Sequence, residues 1–276
     1  MGEVRWLSSV PILLLAGCSA AFFYPDRTVV DTPEKHGMQY EAVHIRAADG
    51  TRLNAWFFPA QGTLRGTVLY LHGTAQNLSA HFQRIAWLPA AGFSVLALDY
   101  RGYGESDGSP SLSGAELDID AAMRVLLSRS DVDADRIFIF GQSLGAALAI
   151  YYVARSPYRA HVRAVIADSP MADYRLIARE KTAELPLAGA FEWLVRLLVD
   201  DQYSPRSAVA AVSPIPLLLI HGERDAVIAP HHSKLLYDLA EQPKQYWHIP
   251  GAGHIEALGR PQVRERLTSF LLEHCS

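Results

Sequence analysis

The sequence predicts an α/β domain: a mostly parallel sheet of eight strands, antiparallel at its amino-terminal end, with helices on both faces. Three observations carry this. Short apolar runs recur at Thr67–Leu71, Ser94–Leu98, Ile137–Phe140, Val162–Ala167 and Pro216–Ile220, as strands buried on both faces require. Stretches of helical character separate them, the alternation that lays crossover helices over a parallel sheet. The chain has 276 residues, 50% of them hydrophobic, which suffices for one large core.

The amino terminus stands apart from this pattern. Arg5 lies in a short polar start, and Trp6 to Ala16 form an apolar stretch too short to cross a bilayer comfortably as a helix. It ends in Leu15-Ala16-Gly17-Cys18, which resembles the lipobox of bacterial lipoproteins. The resemblance implies a signal peptide over 1–17, cleavage before Cys18 and lipid attachment to that cysteine; the alternative is an ordinary signal peptide with an incidental Cys18. By the same resemblance Ser19 would not retain the protein in an inner membrane. The expected location is therefore the bacterial cell envelope, lipid-anchored at the outer membrane and facing the periplasm. Residues 18–38 carry prolines and polar residues without clear periodicity and are expected to form a tether. The second cysteine, Cys275, then has no partner, so neither a disulfide nor a cysteine metal site is expected.

The domain, 39–276, opens with the alternating run Tyr40–Arg46, a turn at Ala48-Asp49-Gly50, and Leu53–Phe58. This is a β-hairpin, hence the antiparallel start. Thr67–Leu71 runs into His72-Gly73, Ser79–Ala91 reads as a helix, and Ser94–Leu98 ends at Asp99. After a helix over Ala115–Leu127 comes the central strand Ile137–Phe140, then Gly141-Gln142-Ser143-Leu144-Gly145 and an Ala/Leu-rich helix. Val162–Ala167, Pro216–Ile220 and Gln245–Ile249 complete the strands, with helices over Ser233–Ala240 and Gln262–His274. Between the sixth and seventh strands, over about 171–213, the rhythm breaks. A helix beginning at Pro186 carries Leu187, Phe191, Leu194 and Leu198 on one face, with Trp193 and Leu197 beside it. An insertion here would form a small helical cap over the strand ends, its apolar face either lining a site or packing on the core.

Strand, sharp turn and helix around Ser143 are the context in which Gly-x-Ser-x-Gly means a nucleophile elbow. The glycines leave room around a strained serine and let helix and strand pack closely, and the helix dipole favours negative charge at the turn. A serine hydroxyl needs a base to take its proton, and the base needs a carboxylate on its far nitrogen. Asp225 follows the seventh strand and His254 the eighth, in the chain order this arrangement requires. Developing negative charge would be received by the backbone N–H groups of Leu144, after the nucleophile, and Thr74, after the third strand. Asp168, after the sixth strand, is the other carboxylate in reach, but Ser169-Pro170 makes turn capping the better reading. Asp99 is read as bracing a loop, His72 and His221 as bonding loop backbone, and His231 and His232 as surface residues. None of these has metal-ligand spacing, and no metal site is expected.

His72-Gly73, Asp99-x-Arg101-Gly102-x-Gly104-x-Ser106, Gly141-x-Ser143-x-Gly145, Gly222-x-x-Asp225 and Gly253-His254 together resemble the α/β-hydrolases, from about Tyr40 to the end. More narrowly, the chain is similar to small-cap, membrane-associated serine hydrolases that include protein depalmitoylases. The resemblance implies ester, thioester or sometimes amide substrates, palmitate-like acyl groups among them, and no cofactor. It leaves three readings: an ester- or thioester-cleaving serine hydrolase with Ser143, Asp225 and His254 as its triad; an aminopeptidase; and a non-catalytic scaffold on the same fold. For an aminopeptidase, Asp173, Glu180, Glu184 and Glu192 in the cap would have to receive a substrate ammonium. An intact triad argues against the scaffold. With 29 acidic against 25 basic residues and a net charge of −4, nucleic acid is excluded as a partner.

Overall fold

A computed structural model describes residues 18–183, 193, 195 and 197–275. The expected signal peptide, 1–17, lies outside the described residues.

The sheet has eight strands. They are β1 (Glu41–Arg46), β2 (Arg52–Phe58), β3 (Gly66–Leu71), β4 (Phe93–Leu98), β5 (Ile137–Gln142), β6 (Val162–Asp168), β7 (Leu217–Gly222) and β8 (Lys244–Ile249). Their order across the sheet is β8-β7-β6-β5-β3-β4-β2-β1. Pairing is antiparallel in the β1–β2 hairpin and between β2 and β4, and parallel everywhere else. On β1 only Val43 and Ile45 are buried, the alternation of an edge strand, whereas every residue of β3, β4, β5 and β7 is buried. Two apolar clusters fill the two faces. Leu69, Leu96 and Ile139 belong to one, while Val68, Val95 and Phe138 belong to the other.

The α-helices whose bounds lie within the described residues are α1 (Leu78–His81), α2 (Leu112–Ser128), α3 (Leu144–Arg155), α4 (Tyr174–Ala183), α5 (His231–Leu239) and α6 (Pro261–Glu273). The expected helix over Ser79–Ala91 is broken into the single turn α1 and the 3₁₀ pieces Phe82–Arg84 and Pro89–Ala91. Pro89 lacks the N–H a continuing helix would need. Register aligns the carboxyl ends of the parallel strands. Leu71 lies beside Leu98 and Gly141, Gln142 beside Asp168, and Gly222 beside Ile249. Side chains that follow these ends therefore gather on one edge of the sheet.

Two segments differ from expectation. The stretch expected to be a tether is seated on the domain: Phe23 is buried, and Tyr24–Pro25 pairs in parallel with Ala75–Gln76. A polar, proline-containing segment hides such contacts because two residues of strand leave no periodicity to read. In the cap region α4 precedes the helix expected from Pro186. Leu187, Phe191 and Leu194 lie outside the described residues. Of the rest, Val195 and Val199 are buried, Leu198 is half-buried, and Trp193 and Leu197 are exposed. The seat on the core is thus made by Val195 and Val199, one helical turn apart.

Candidate active site

Ser143 sits between β5 and α3 at φ 54°, ψ −115°, a conformation a non-glycine residue adopts only under constraint. The constraint is visible. A Cβ on Gly141 would lie 2.2 Å from the Gly145 carbonyl oxygen, and one on Gly145 would lie 2.1 Å from that of Leu71. Neither glycine has a positive φ, so both are needed for close approach, while the strained dihedral falls on the serine itself. The Ser143 N–H donates to the Asp168 carbonyl at 2.8 Å, which ties the turn to the end of β6. The residue is nearly buried, at 6% exposure.

Asp225 follows β7 in a loop that satisfies both carboxylate oxygens. Oδ1 accepts the Val227 and Ile228 N–H groups, each at 2.9 Å, and Oδ2 accepts His254 Nδ1 at 2.7 Å. His221 Nε2 lies 3.2 Å from the same Oδ2. Burial pushes the Asp225 pKa up. The bonds from His221, His254 and the Ile228 N–H outweigh it and hold the carboxyl well below the usual carboxylate range. Asp225 is therefore an anion oriented towards the His254 ring. With Nδ1 donating to Asp225, His254 presents Nε2 as its proton acceptor.

His254 is tied to the same strand end as Ser143, because the Ile255 N–H reaches Ser169 Oγ at 3.3 Å. Ser169 and Ile255 have φ 54° and 49°. With Ser143 they make three of the four non-glycine residues of positive φ among the described residues. Strain of this kind gathers where geometry is fixed by its surroundings.

The loop after β3 lies against the elbow: a Cβ on Gly73 would be 3.5 Å from Ser143 Cβ. His72 Nδ1 donates to the Gly73 carbonyl at 2.8 Å. In a trans peptide N–H and C=O point oppositely, so this bond aims the Thr74 N–H. Leu144 is the first residue of α3, where backbone N–H groups have no helical partner. Gly73, the residue before Thr74, and Leu144 thus adjoin Ser143, one from each neighbouring segment.

The other residues singled out in the sequence divide. Asp168 is fully buried and accepts Gln142 Nε2 at 2.8 Å, and burial raises its pKa. Asp99 Oδ1 caps the Leu78 N–H at 2.7 Å and so braces the loop into α1. His221 does bond loop backbone, at the Ile228 carbonyl (2.8 Å), but its approach to Asp225 had no sequence signal beyond a spacing of four residues. His232, expected at the surface, is buried. Its Nε2 lies 2.9 Å from Glu180 Oε2 and that of His231 2.7 Å from Oε1. Among the described residues this trio alone has metal-ligand geometry, with ligand atoms within 4.8 Å of one another. Its hydrogen bonding does not suit a metal. His232 Nδ1 accepts the Ala172 N–H at 3.1 Å, so Nε2 carries the ring proton and donates it to Glu180.

Residues 62–213 match the model of a family described as serine aminopeptidase, S33. The chain is 40% identical over 258 residues to the uncharacterized protein YfhR of Escherichia coli (strain K12), spanning 91% of this chain and 86% of that one. It is 28% identical to protein bem46 of Schizosaccharomyces pombe, spanning 92% and 84%. Among solved structures, the Pyrococcus furiosus esterase Pf2001 superposes with a TM-score of 0.73 at 24% identity, covering 92% of this chain and 100% of that chain. Acetyl xylan esterase 1 from Thermoanaerobacterium sp. superposes at 0.68 and 19% identity, covering 87% and 84%. At these identities the structural likeness is one of fold. No helix among the described residues is long and apolar enough to cross a membrane.

Proposed function

The chain belongs to the α/β-hydrolase family, and from that premise we propose that it is a serine hydrolase cleaving carboxylic ester or thioester bonds. The single observation that carries this reading is the 2.7 Å bond between His254 Nδ1 and an Asp225 carboxylate that accepts two further backbone N–H groups. In the reaction, His254 Nε2 takes the Ser143 hydroxyl proton as Oγ attacks the acyl carbonyl. Asp225 stabilises the imidazolium that forms. The oxyanion is received by the Thr74 and Leu144 N–H groups, each such donor being worth about 2.7–4 kcal/mol in the transition state. His254 then protonates the leaving alcohol or thiol, and water, deprotonated by the same ring, releases the acid from the acyl-enzyme. The reaction so written uses no cofactor.

The family description favours a second reading, hydrolysis of an amino-terminal amide. It asks for an uncommitted acidic group to receive a substrate ammonium. Asp173 Oδ1 is engaged by the Leu176 N–H at 2.7 Å, and Glu180 is shared by two histidines. Glu184 and Glu192 lie outside the described residues. The committed state of Asp173 and Glu180 supports the ester reading over the amide one. Labelling with a fluorophosphonate, followed by a panel of acyl esters, acyl thioesters and aminoacyl amides, tests both. Ser143→Ala is expected to lose labelling and turnover while keeping its melting temperature. Turnover near the wild-type rate in that variant refutes the assignment, and a preference for aminoacyl amides selects the second reading.

We further propose that Cys18 carries the lipid that holds the protein at the bacterial outer membrane, facing the periplasm. The motif Leu15-Ala16-Gly17-Cys18 supports this. More than one acyl chain is needed for stable anchoring.

A further inference from the structure

The segment from Phe22 to Asp31 is stitched to the loop between β3 and α1 along its whole length. The Tyr24 N–H donates to the Thr74 carbonyl at 3.0 Å, and the Asp26 N–H to that of Gln76 at 3.3 Å. Asn77 Nδ2 donates to the Asp26 and Thr28 carbonyls at 2.9 and 2.8 Å, and the Val30 N–H donates to Ser79 Oγ at 2.9 Å. Phe22 packs on Tyr174, with ring centroids 4.8 Å apart, and Phe23 on Tyr103 at 6.3 Å. The Tyr103 hydroxyl in turn donates to the Thr74 carbonyl at 2.6 Å. Gln76, in the same loop, has φ 66°, a strained value that persists only where neighbours impose it.

Thr74 lies where these bonds converge. On its amino side the peptide plane is fixed by His72, whose Nδ1 holds the Gly73 carbonyl. On its carboxyl side the plane is fixed twice, by Tyr24 and Tyr103 on the Thr74 carbonyl. With both flanking peptides pinned, φ and ψ of Thr74 cannot rotate and its N–H keeps one direction. A hydrogen bond to developing charge weakens steeply as its angle departs from linear, so a loop free to turn would lose much of that stabilisation. We propose that residues 22–31 are a positioning strap for the active site: they fix the Thr74 N–H so that it meets the oxyanion at Ser143. The inference rests on the reading of Thr74 as an oxyanion donor. The strap acts through the loop and touches no substrate.

Two substitutions in the full chain remove the two bonds to the Thr74 carbonyl separately, the one from the strap and the one from Tyr103, on which strap residue Phe23 packs. Tyr24→Pro deletes the N–H donor. Tyr24 is 65% exposed and its backbone is already confined to extended conformations by Pro25; the new proline also restricts the buried Phe23, an effect on folding that circular dichroism reads. Tyr103→Phe deletes only a hydroxyl. Each is assayed for kcat and KM on a soluble short-chain ester, and for inhibition by a trifluoromethyl ketone, whose serine adduct carries the oxyanion. Thr74→Pro, which lacks the donor itself, is measured alongside.

The expected result is that Tyr24→Pro and Tyr103→Phe each lose about tenfold in kcat, part of the 10²–10³ that a whole donor is worth. KM should stay within about twofold, and the inhibition constant should rise by the same factor as kcat falls. If Thr74→Pro is impaired but Tyr24→Pro matches wild type, the strap is not a positioning element, whatever Tyr103→Phe does. If Thr74→Pro also matches wild type, the donor reading itself fails and the proposal falls with it. A loss of kcat that only tracks the folded fraction, read by circular dichroism, likewise overturns it.

Discussion

Replacing Gly145 by alanine tests the claim that this glycine serves close approach and not a special dihedral. The added Cβ would lie 2.1 Å from the Leu71 carbonyl oxygen and 2.6 Å from that of His72. Ordinary non-bonded contact needs about 3.5 Å, so α3 and the end of β3 must separate by more than about 1 Å. The end of β3 cannot yield easily, because Leu71 is paired with Leu98 on one side and Gly141 on the other. Nor is the obstacle a flexible side chain. Overpacking by a methyl group usually costs about 1–3 kcal/mol, and an unyielding backbone puts this site at about 3 kcal/mol or more. For a domain of this size that lowers Tm by about 6–12 °C. The same shift displaces Ser143 and the Leu144 N–H from the loop holding Thr74. A misplacement of about 1 Å can cost 10²-fold in rate, so kcat should fall more than stability alone explains. Urea denaturation and ester turnover measured on one preparation check both. A variant within 1 kcal/mol of wild type with unchanged kcat would falsify the steric account of the elbow.

Three further expectations follow from the site and its surroundings. Asp225→Asn should lose at least about 10³-fold in kcat, because it deprives the imidazolium of its counter-charge. Asp168→Asn should chiefly lower stability, its carboxylate being bonded to Gln142 and Ser169; the reverse ranking in kcat would move the catalytic acid to β6. Glu116 Oε1 is enclosed without a hydrogen-bond partner, and burial raises its pKa to about 8. Between about pH 4.3 and 8 the folded state then holds a proton the unfolded state has released, so wild-type stability falls as pH rises. Glu116→Gln removes that loss and should gain on the order of 4 kcal/mol at pH 8 and almost nothing at pH 4, measured by urea denaturation at both. Cys18→Ser should abolish incorporation of a labelled fatty acid; absence of label in the wild type would sink the lipid anchor.

The parts of the fold that could be read from residues alone are those with a strong period or a steric necessity. β3 to β7 are largely apolar because both faces are covered, and that leaves a readable run. Ser143 was marked by the strand before it and the glycines around it, and Asp225 and His254 by their places after strands. Contacts made by backbone or by short polar segments left no comparable trace. The strap is two residues of strand and a series of single hydrogen bonds, which composition alone presents as a tether. His232 stands beside exposed His231 at a helix start, and a tertiary contact, the Ala172 N–H on His232 Nδ1, sets the buried ring apart from its neighbour. Ile255 carries φ 49°, which a β-branched residue rarely adopts and which no pattern would suggest.

That strain explains how the two halves of the site are held in one frame. β6 lies between the strand that leads to Ser143 and the strand that leads to Asp225. At its end the Asp168 carbonyl accepts the Ser143 N–H, Ser169 Oγ accepts the Ile255 N–H, and the Ser169 N–H donates to the Ile220 carbonyl on β7. One short turn thus fastens Ser143, the residue after His254, and the strand that leads to Asp225. Each positive φ in it costs on the order of 1–3 kcal/mol, which only a well-buried frame can impose. Asp168, fully buried beneath this turn and bonded to Gln142, fixes that frame from below. Its value to the site is therefore mechanical. On the proposed mechanism a carboxylate there sets how firmly Ser143 and the His254 segment are held, and moves no proton itself.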